Sequence, residues 1–435
     1  MTDKRGIGTL ICDDIEMTTG NMDFFTPIVP ENVLRSGITI ELNPVNAISN
    51  SGPFEFSISR DPDHYIYLPM TRLYGHLKVV KLDGNPLTDV DITSVCNLFP
   101  QSLFKQMEVE VEGTQLNDIS SSTYAIKAYL ETILTYGTEA KSTHLQMAGW
   151  SSDTMGKENE VTADSWKKRK AMIMDKEYHF SMILHCDFFQ MERFLLPNTS
   201  VTIKMIRNTD AYSFIANSLI AKIMIKNLRL SIHKIKIAPD FDKAIESNLA
   251  KEPAIYPLTQ SKIKSFLLQT GTSTTFVQNV LSGALPQSLV ICFIDARAFN
   301  GEVNFNPFCF PHFNLNLLNL RVNGNPFHPR PFQPNYENGD FMREYRNLMD
   351  HGGVQHGNNA IAIGKNEFAT NSNFYVFDFT PDLCNSYHHH ATKHGHIDIE
   401  VGWASSLANN IYMLVYSSHR QTIVIDSNRN VSLLE

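Results

Sequence analysis

Histidines and acids crowd one stretch near the end of the chain: His388-His389-His390, then His394, His396, Asp398 and Glu400. Side chains two apart on a strand share a face, so His394, His396, Asp398 and Glu400 would project together while Ile397, Ile399 and Val401 fill the other side. Imidazoles and carboxylates gathered in this way are ligands for zinc or another divalent ion. His394, His396 and Asp398 are therefore the candidate metal ligands. Their spacing fits no fixed metal motif, so the same residues also read as a solvated strand face, or as a contact that responds to pH because histidine changes charge near about pH 6.5. On that balance no metal and no other cofactor is assigned.

A second cluster is basic: Lys167-Lys168-Arg169-Lys170. It could serve as a nuclear-import address or a local phosphate contact, and within an exposed loop it could equally be ordinary solvated surface. Catalytic signatures are missing. The chain contains no nucleophile elbow, Walker loop, dinucleotide fingerprint or H-E-x-x-H pair, and Gly352-Gly353 after His351 lacks both the lysine and the strand of a phosphate loop. No catalytic residue is assigned, and the chain reads as a non-enzyme. The six cysteines (Cys12, Cys96, Cys186, Cys292, Cys309, Cys384) stand far apart without a C-x-x-C pair, which points to buried free thiols.

The elements that must carry these residues are mostly strands. Of 435 residues, 43% are hydrophobic and 19% charged, which excludes a disordered chain and asks for about two domains. Aromatic residues make up 10%, with 27 Phe and 15 Tyr, and this favours β structure. The net charge of -8 excludes a surface devoted to nucleic acid, so contact with DNA should be weak or local. The N-terminal stretch lacks the apolar core of a secretory signal and no segment reaches bilayer length, so synthesis in a reducing cytosol is expected.

Alternation marks strands at Phe54 to Ile58, at Met107 to Glu112 with three glutamates on one face that reads as solvated, at Tyr178 to Phe180 and at Val201 to Met205. From Ala221 to Ile237 the apolar phase switches twice, which requires bulges. Strand signals return at Lys262 to Phe266, Leu289 to Ile294, Leu315 to Val322, Phe374 to Phe379, Ile397 to Val401, Ile411 to Tyr416 and Thr422 to Ile425, with a hairpin at Asn323-Gly324. Ile126, Tyr129, Leu130 and Ile133 predict a helix, and Phe341 to Met349 a second one with Asp340 as N-cap and Gly352 as stop. Residues 151–170 read as a long exposed loop. The division that follows is an N-terminal arm 1–33, a first β domain 34–238, a polar linker 239–256 and a second β domain 257–435.

Several segments go further than periodicity. Gly52-Pro53-Phe54-Glu55-Phe56, LPMTRLY at 68–74, LFKQMEV at 103–109 and YAIKAYLETILTYG at 124–137 in the first half resemble hexon-like major capsid proteins of Polinton/Maverick elements and adintoviruses. So do Ala298-Phe299-Asn300-Gly301, PHFNLNLL at 311–318, Pro331-Phe332-Gln333-Pro334-Asn335 and, most distinctively, FDFTPDL at 377–383 in the second half. The resemblance covers nearly the whole chain after the arm, in order.

It implies an all-β double jelly roll, two tandem eight-stranded jelly rolls with short helical insertions, and a homotrimer of pseudo-hexagonal outline. Such trimers would join neighbouring trimers, penton and minor capsid proteins into an icosahedral shell around double-stranded DNA. The product would be found in the virion after synthesis in the host cytoplasm, with assembly there or in the nucleus. Loops 138–177 and 323–373 would form towers and inter-subunit contacts. Other readings are a metal-dependent enzyme on paired β-sandwiches, such as a secreted copper monooxygenase, or a ligand-binding β module.

Overall fold

The structure, a computed structural model, describes residues 32–117, 122–174, 176–351, 361–381 and 391–434. The N-terminal arm up to residue 31, the triplet His388 to His390 and Gly352 lie outside the described residues.

Residues 34–237 build the strands β1 (Leu34–Leu42), β2 (Phe54–Ile58), β3 (Tyr65–Lys81), β4 (Thr93–Val95), β5 (Phe104–Val111), β6 (Thr114–Gln115), β7 (Tyr178–Ile183), β8 (Val201–Arg207), β9 (Phe214–Ala216) and β10 (Ala221–Ile237). They pair as two four-stranded sheets, β1-β10-β3-β7 and β2-β8-β5-β6, with a small β4-β9 ribbon. Residues 254–434 build β11 (Ala254–Leu268), β12 (Thr274–Ala284), β13 (Ser288–Asp295), β14 (Leu315–Val322), β15 (Asn325–Pro326), β16 (Tyr375–Asp378), β17 (His394–Trp403), β18 (Ile411–Ile425) and β19 (Val431–Leu434). Their sheets run β11-β18-β13-β16, extended by β19 on β18, and β12-β17-β14-β15. Both halves repeat one winding, in which the last long strand lies between the first and third. That is the order of a jelly roll.

Particular residues explain particular elements. In β2 the rings of Phe54 and Phe56 are fully buried while Ser57 is exposed, so the alternation fills a core. The phase switches expected in β10 are register shifts against β3, between Ile225 and Asn227 and between Ser231 and His233. Asn323 and Gly324 take φ of 51° and 81° and join β14 to β15, a turn with two left-handed residues.

Among the described residues, four helices of ten or more residues decorate the sheets: α1 (Tyr124–Thr135), α2 (Asp164–Ile173), α3 (Pro239–Leu249) and α4 (Met342–His351). Helix α4 begins one residue later than Phe341; Asp340 is bridged to Asn335, and the Phe341 carbonyl accepts the first helical bond, from Tyr345 N–H at 3.0 Å. The stretch read as a linker carries α3, with Leu249 buried, and the first residues of β11.

Two expectations are corrected. Residues 164–173 are helical, because Trp166, Arg169 and Ile173 form one buried face at helical spacing. Two glutamates of the acidic face are paired: Glu108 accepts from Lys204 at 2.9 Å, and Glu112, at the turn after β5, binds Arg60 with its side chain 8% exposed.

The two halves share one interior. Strand β13 is buried on both faces: Leu289, Ile291 and Phe293 join the core of the second sandwich, while Val290, Cys292 and Ile294 join the cluster that holds Ile126, Leu130 and the core of the first. Leu414 of β18 and Val376 of β16 do the same, so the inner strands of this sheet lie between two apolar layers. A sheet covered on both sides needs continuous apolar runs, and Leu289 to Ile294 is such a run.

Candidate functional site

The seam between the sandwiches holds a cluster of four ionisable side chains that are all largely buried. Helix α1 lays Tyr129 flat on Phe308, with ring centroids 4.6 Å apart, and Phe308 reaches it from a loop of the second half. That loop is fixed by an Asx turn, in which Phe308 N–H donates to Asn306 Oδ1 at 3.0 Å. One turn away, Lys127 and Glu131 stand on the same helix four residues apart. Lys127 Nζ reaches Asp187 Oδ2 at 2.8 Å and Glu131 Oε1 at 3.4 Å, and His185 Nδ1 lies 2.7 Å from Glu131 Oε2.

The second sandwich closes the cluster. Ser261 N–H of β11 donates to Asp187 Oδ2 at 3.1 Å, and the Tyr416 hydroxyl of β18 donates to Ser261 Oγ at 2.9 Å. Burial alone would pull the Lys127 pKa down, but the Asp187 and Glu131 carboxylates outweigh it and hold the ammonium well above its ordinary range. Glu131 is the mirror case: burial pushes it up, and Lys127 and His185 together bring it below the usual carboxylate value. A groove of about 460 Å³ opens beside the cluster, lined by Arg72, Glu131, Tyr136, His185, Gln190 and Tyr416.

This arrangement can hold two bodies at a fixed angle, since every charge has an opposite partner and each partner bond has a direction. Its nearest thiol is no nucleophile: burial pushes Cys186 up to about 12. Cys96 is pushed up to about 12 in the same way. Cys96, Cys186 and Cys292 are buried free thiols, and Cys309 is half-buried.

The residues singled out in the sequence lie elsewhere. In β17, His396 Nε2 stands 3.6 Å from Asp398 Oδ2, and His394 is exposed at the strand's start. Asp398 Oδ1 accepts from Asn279 N–H at 2.8 Å, where Asn279, at φ 50°, forms the bulge that interrupts the β12–β17 register. Glu400 accepts from Arg321 at 2.9 Å and Asn319 at 3.2 Å. The carboxylates of this face thus serve a bulge and a neighbouring strand. The basic run sits on α2, not in a loop. Arg169 is 1% exposed, bound to Asp153 at 2.6 Å and the Ser151 carbonyl at 2.9 Å. Lys170 donates to the carbonyls of Asp89 and Asp91 at 2.6 and 2.7 Å. Lys167 and Lys168 are the members of the run that face solvent.

One cluster escaped the sequence reading. His76 of β3, His179 of β7 and Glu177 meet on the outer face of the first sandwich, about 100 residues apart in the chain. Only strand register reveals it.

Comparison with known proteins comes down to fold. No family model matches the chain. An uncharacterised protein of Caenorhabditis elegans is 22% identical over 406 residues, covering 89% of this chain and 95% of that protein. Among solved structures, the PBCV-1 virus capsid matches with a TM-score of 0.59 at 10% identity, covering 95% of this chain and 99% of that one. The Faustovirus major capsid protein gives 0.58 at 8% identity, with 92% of each chain covered. The mavirus major capsid protein gives 0.52 at 10% identity, over 98% and 96%. The chain has the double jelly-roll fold of these capsid proteins. Among the described residues no helix is long and apolar enough to cross a membrane.

Proposed function

We propose that the chain is a major capsid protein of the Polinton/Maverick and adintovirus type, a structural protein and not an enzyme. The observation that carries this reading is the match of both sandwiches, over at least 92% of either chain, to capsid proteins of several viruses. Two sandwiches of the same winding lie side by side in one chain. Three copies around a threefold axis present six similar sandwiches, which is a pseudo-hexagonal capsomer able to tile an icosahedral shell around double-stranded DNA.

In this reading 34–238 and 257–435 are the two jelly rolls, joined through 239–256. The loops within 138–177 and 323–373 supply towers and contacts between chains. The arm 1–33 ties a trimer to its neighbours or to penton and minor capsid proteins. The acidic net charge leaves DNA to be met weakly, with Lys167 and Lys168 as exposed cations on this chain. The virion is its destination.

Light scattering on a sizing column, followed by negative-stain imaging, tests the proposal. Three chains of 49.3 kDa, a species of about 148 kDa with a hexagonal outline, or closed shells, is the expected result. A stable monomer at micromolar concentration overturns it and favours a binding module or a metal-dependent enzyme on the same fold.

A further inference from the structure

We propose that His76, His179 and Glu177 form a binding site for one divalent transition metal ion, of the zinc or copper class, on the outer face of the first sandwich. The geometry begins on the inner face. A Cβ on Gly75 would stand 2.3 Å from Phe180 Cζ and 2.9 Å from Leu228 Cδ2, so the Phe180 ring lies over a position only glycine can occupy without repacking. Gly75 and Phe180 are register partners, and this fit pins β3 against β7. The next pair in that register, on the opposite face, is His76 with His179.

Their ring centroids are 4.1 Å apart. Glu177 precedes His179 by two residues and therefore shares its face. One ligand atom from each of the three lies within 4.8 Å of the others, with His76 half-buried and His179 and Glu177 exposed. Ligand atoms on a tetrahedral zinc stand about 3.4 Å apart, so the side chains need to close by at most about 1.4 Å from a 4.8 Å separation. Two imidazoles and one carboxylate match a zinc site that keeps a position for water, and the carboxylate offsets part of the ion's charge. Arg229 of β10, across β3 on the same face, is already paired with Glu41 at 3.0 Å. The ion would clip β7, the end strand of its sheet, onto β3.

The test uses the full chain carrying His388→Ala, His389→Ala and His390→Ala, because that triplet would bind metal by itself. Zinc titration by calorimetry is expected to give one ion per chain with a Kd of about micromolar order. His76→Ala and His179→Ala should each weaken it by about tenfold or more, and Glu177→Gln by about threefold. Zinc should raise Tm in the parent and not in the double variant H76A/H179A. With one equivalent of Cu2+, electron paramagnetic resonance should count two coordinating imidazole nitrogens, a readout that needs no substitution at the site. Unchanged affinity in H76A and H179A, no binding in the parent below about 1 mM, or fewer than two nitrogens in the copper spectrum overturns the proposal.

Discussion

Lys127→Met removes one positive charge from the seam and leaves the side chain's apolar stem in place. The Lys127 side chain is 13% exposed, Asp187 10% and Glu131 11%, so the carboxylates left behind meet water only along the edge of the adjoining groove. Glu131 keeps His185 at 2.7 Å, and Asp187 keeps the Ser261 N–H at 3.1 Å. Breaking a buried pair by deleting one partner costs about 3–5 kcal/mol. That is a large share of the roughly 5–15 kcal/mol that holds a domain folded. Urea unfolding at one fixed protein concentration measures it, because association itself shifts the midpoint. Arg229→Met is the control: Arg229 and Glu41 are 50% and 51% exposed, and an exposed pair contributes about 1 kcal/mol at most. Adding Asp187→Asn to Lys127→Met should restore part of the loss, since an amide oxygen still accepts from Ser261 N–H. A Lys127→Met loss no larger than that of Arg229→Met refutes the reasoning.

Gly75→Ala should destabilise the first sandwich by about 1–3 kcal/mol through overpacking, and Phe180→Leu in the same chain should recover part of it, read by thermal melts. Glu131 titrates below its ordinary value of 4.5 in the folded chain, so it contributes stability above that pH and loses it as pH falls through the lower folded value. Urea midpoints between about pH 5 and pH 3 should fall less steeply in Glu131→Gln. Lys141, buried against Trp150, is lowered to about 8. Its charged form is disfavoured by folding, so stability should rise between pH 8 and its ordinary 10.5, and Lys141→Met should raise the pH 7 melting point.

Strands were legible where one face meets a core and the other meets water. The alternation at Phe54 to Ile58, the phase switches of β10 and the Asn323-Gly324 turn each carry their own local cause. Helix α2 was not legible because a core position is occupied by Arg169. Its charge is cancelled by Asp153, 16 residues earlier, and a scan for apolar spacing counts it as surface. The same blindness hid the seam. Lys127 and Glu131, four residues apart, look like a solvated helix pair, and only the second sandwich arriving over them makes them interior. His76 and His179 become neighbours through register, which two separate strand signals do not specify.

The seam also explains why the chain forms one body. Apolar contact between two sandwiches is strong and nearly indifferent to a small slide, since burial scales with area and carries little direction. Strands β13, β16 and the first half of β18, apolar on both faces, supply that contact. Orientation needs bonds that fail when the angle changes, and the Lys127, Asp187, Ser261 and Tyr416 chain supplies them across the joint. For a lone binding domain such a constraint has little use. In a capsomer the angle between the two sandwiches of one chain sets the angle at which the next chain must dock, and an error is repeated three times around the axis. Under the proposed capsid role, the ion-paired cluster at that joint is what fixes this angle.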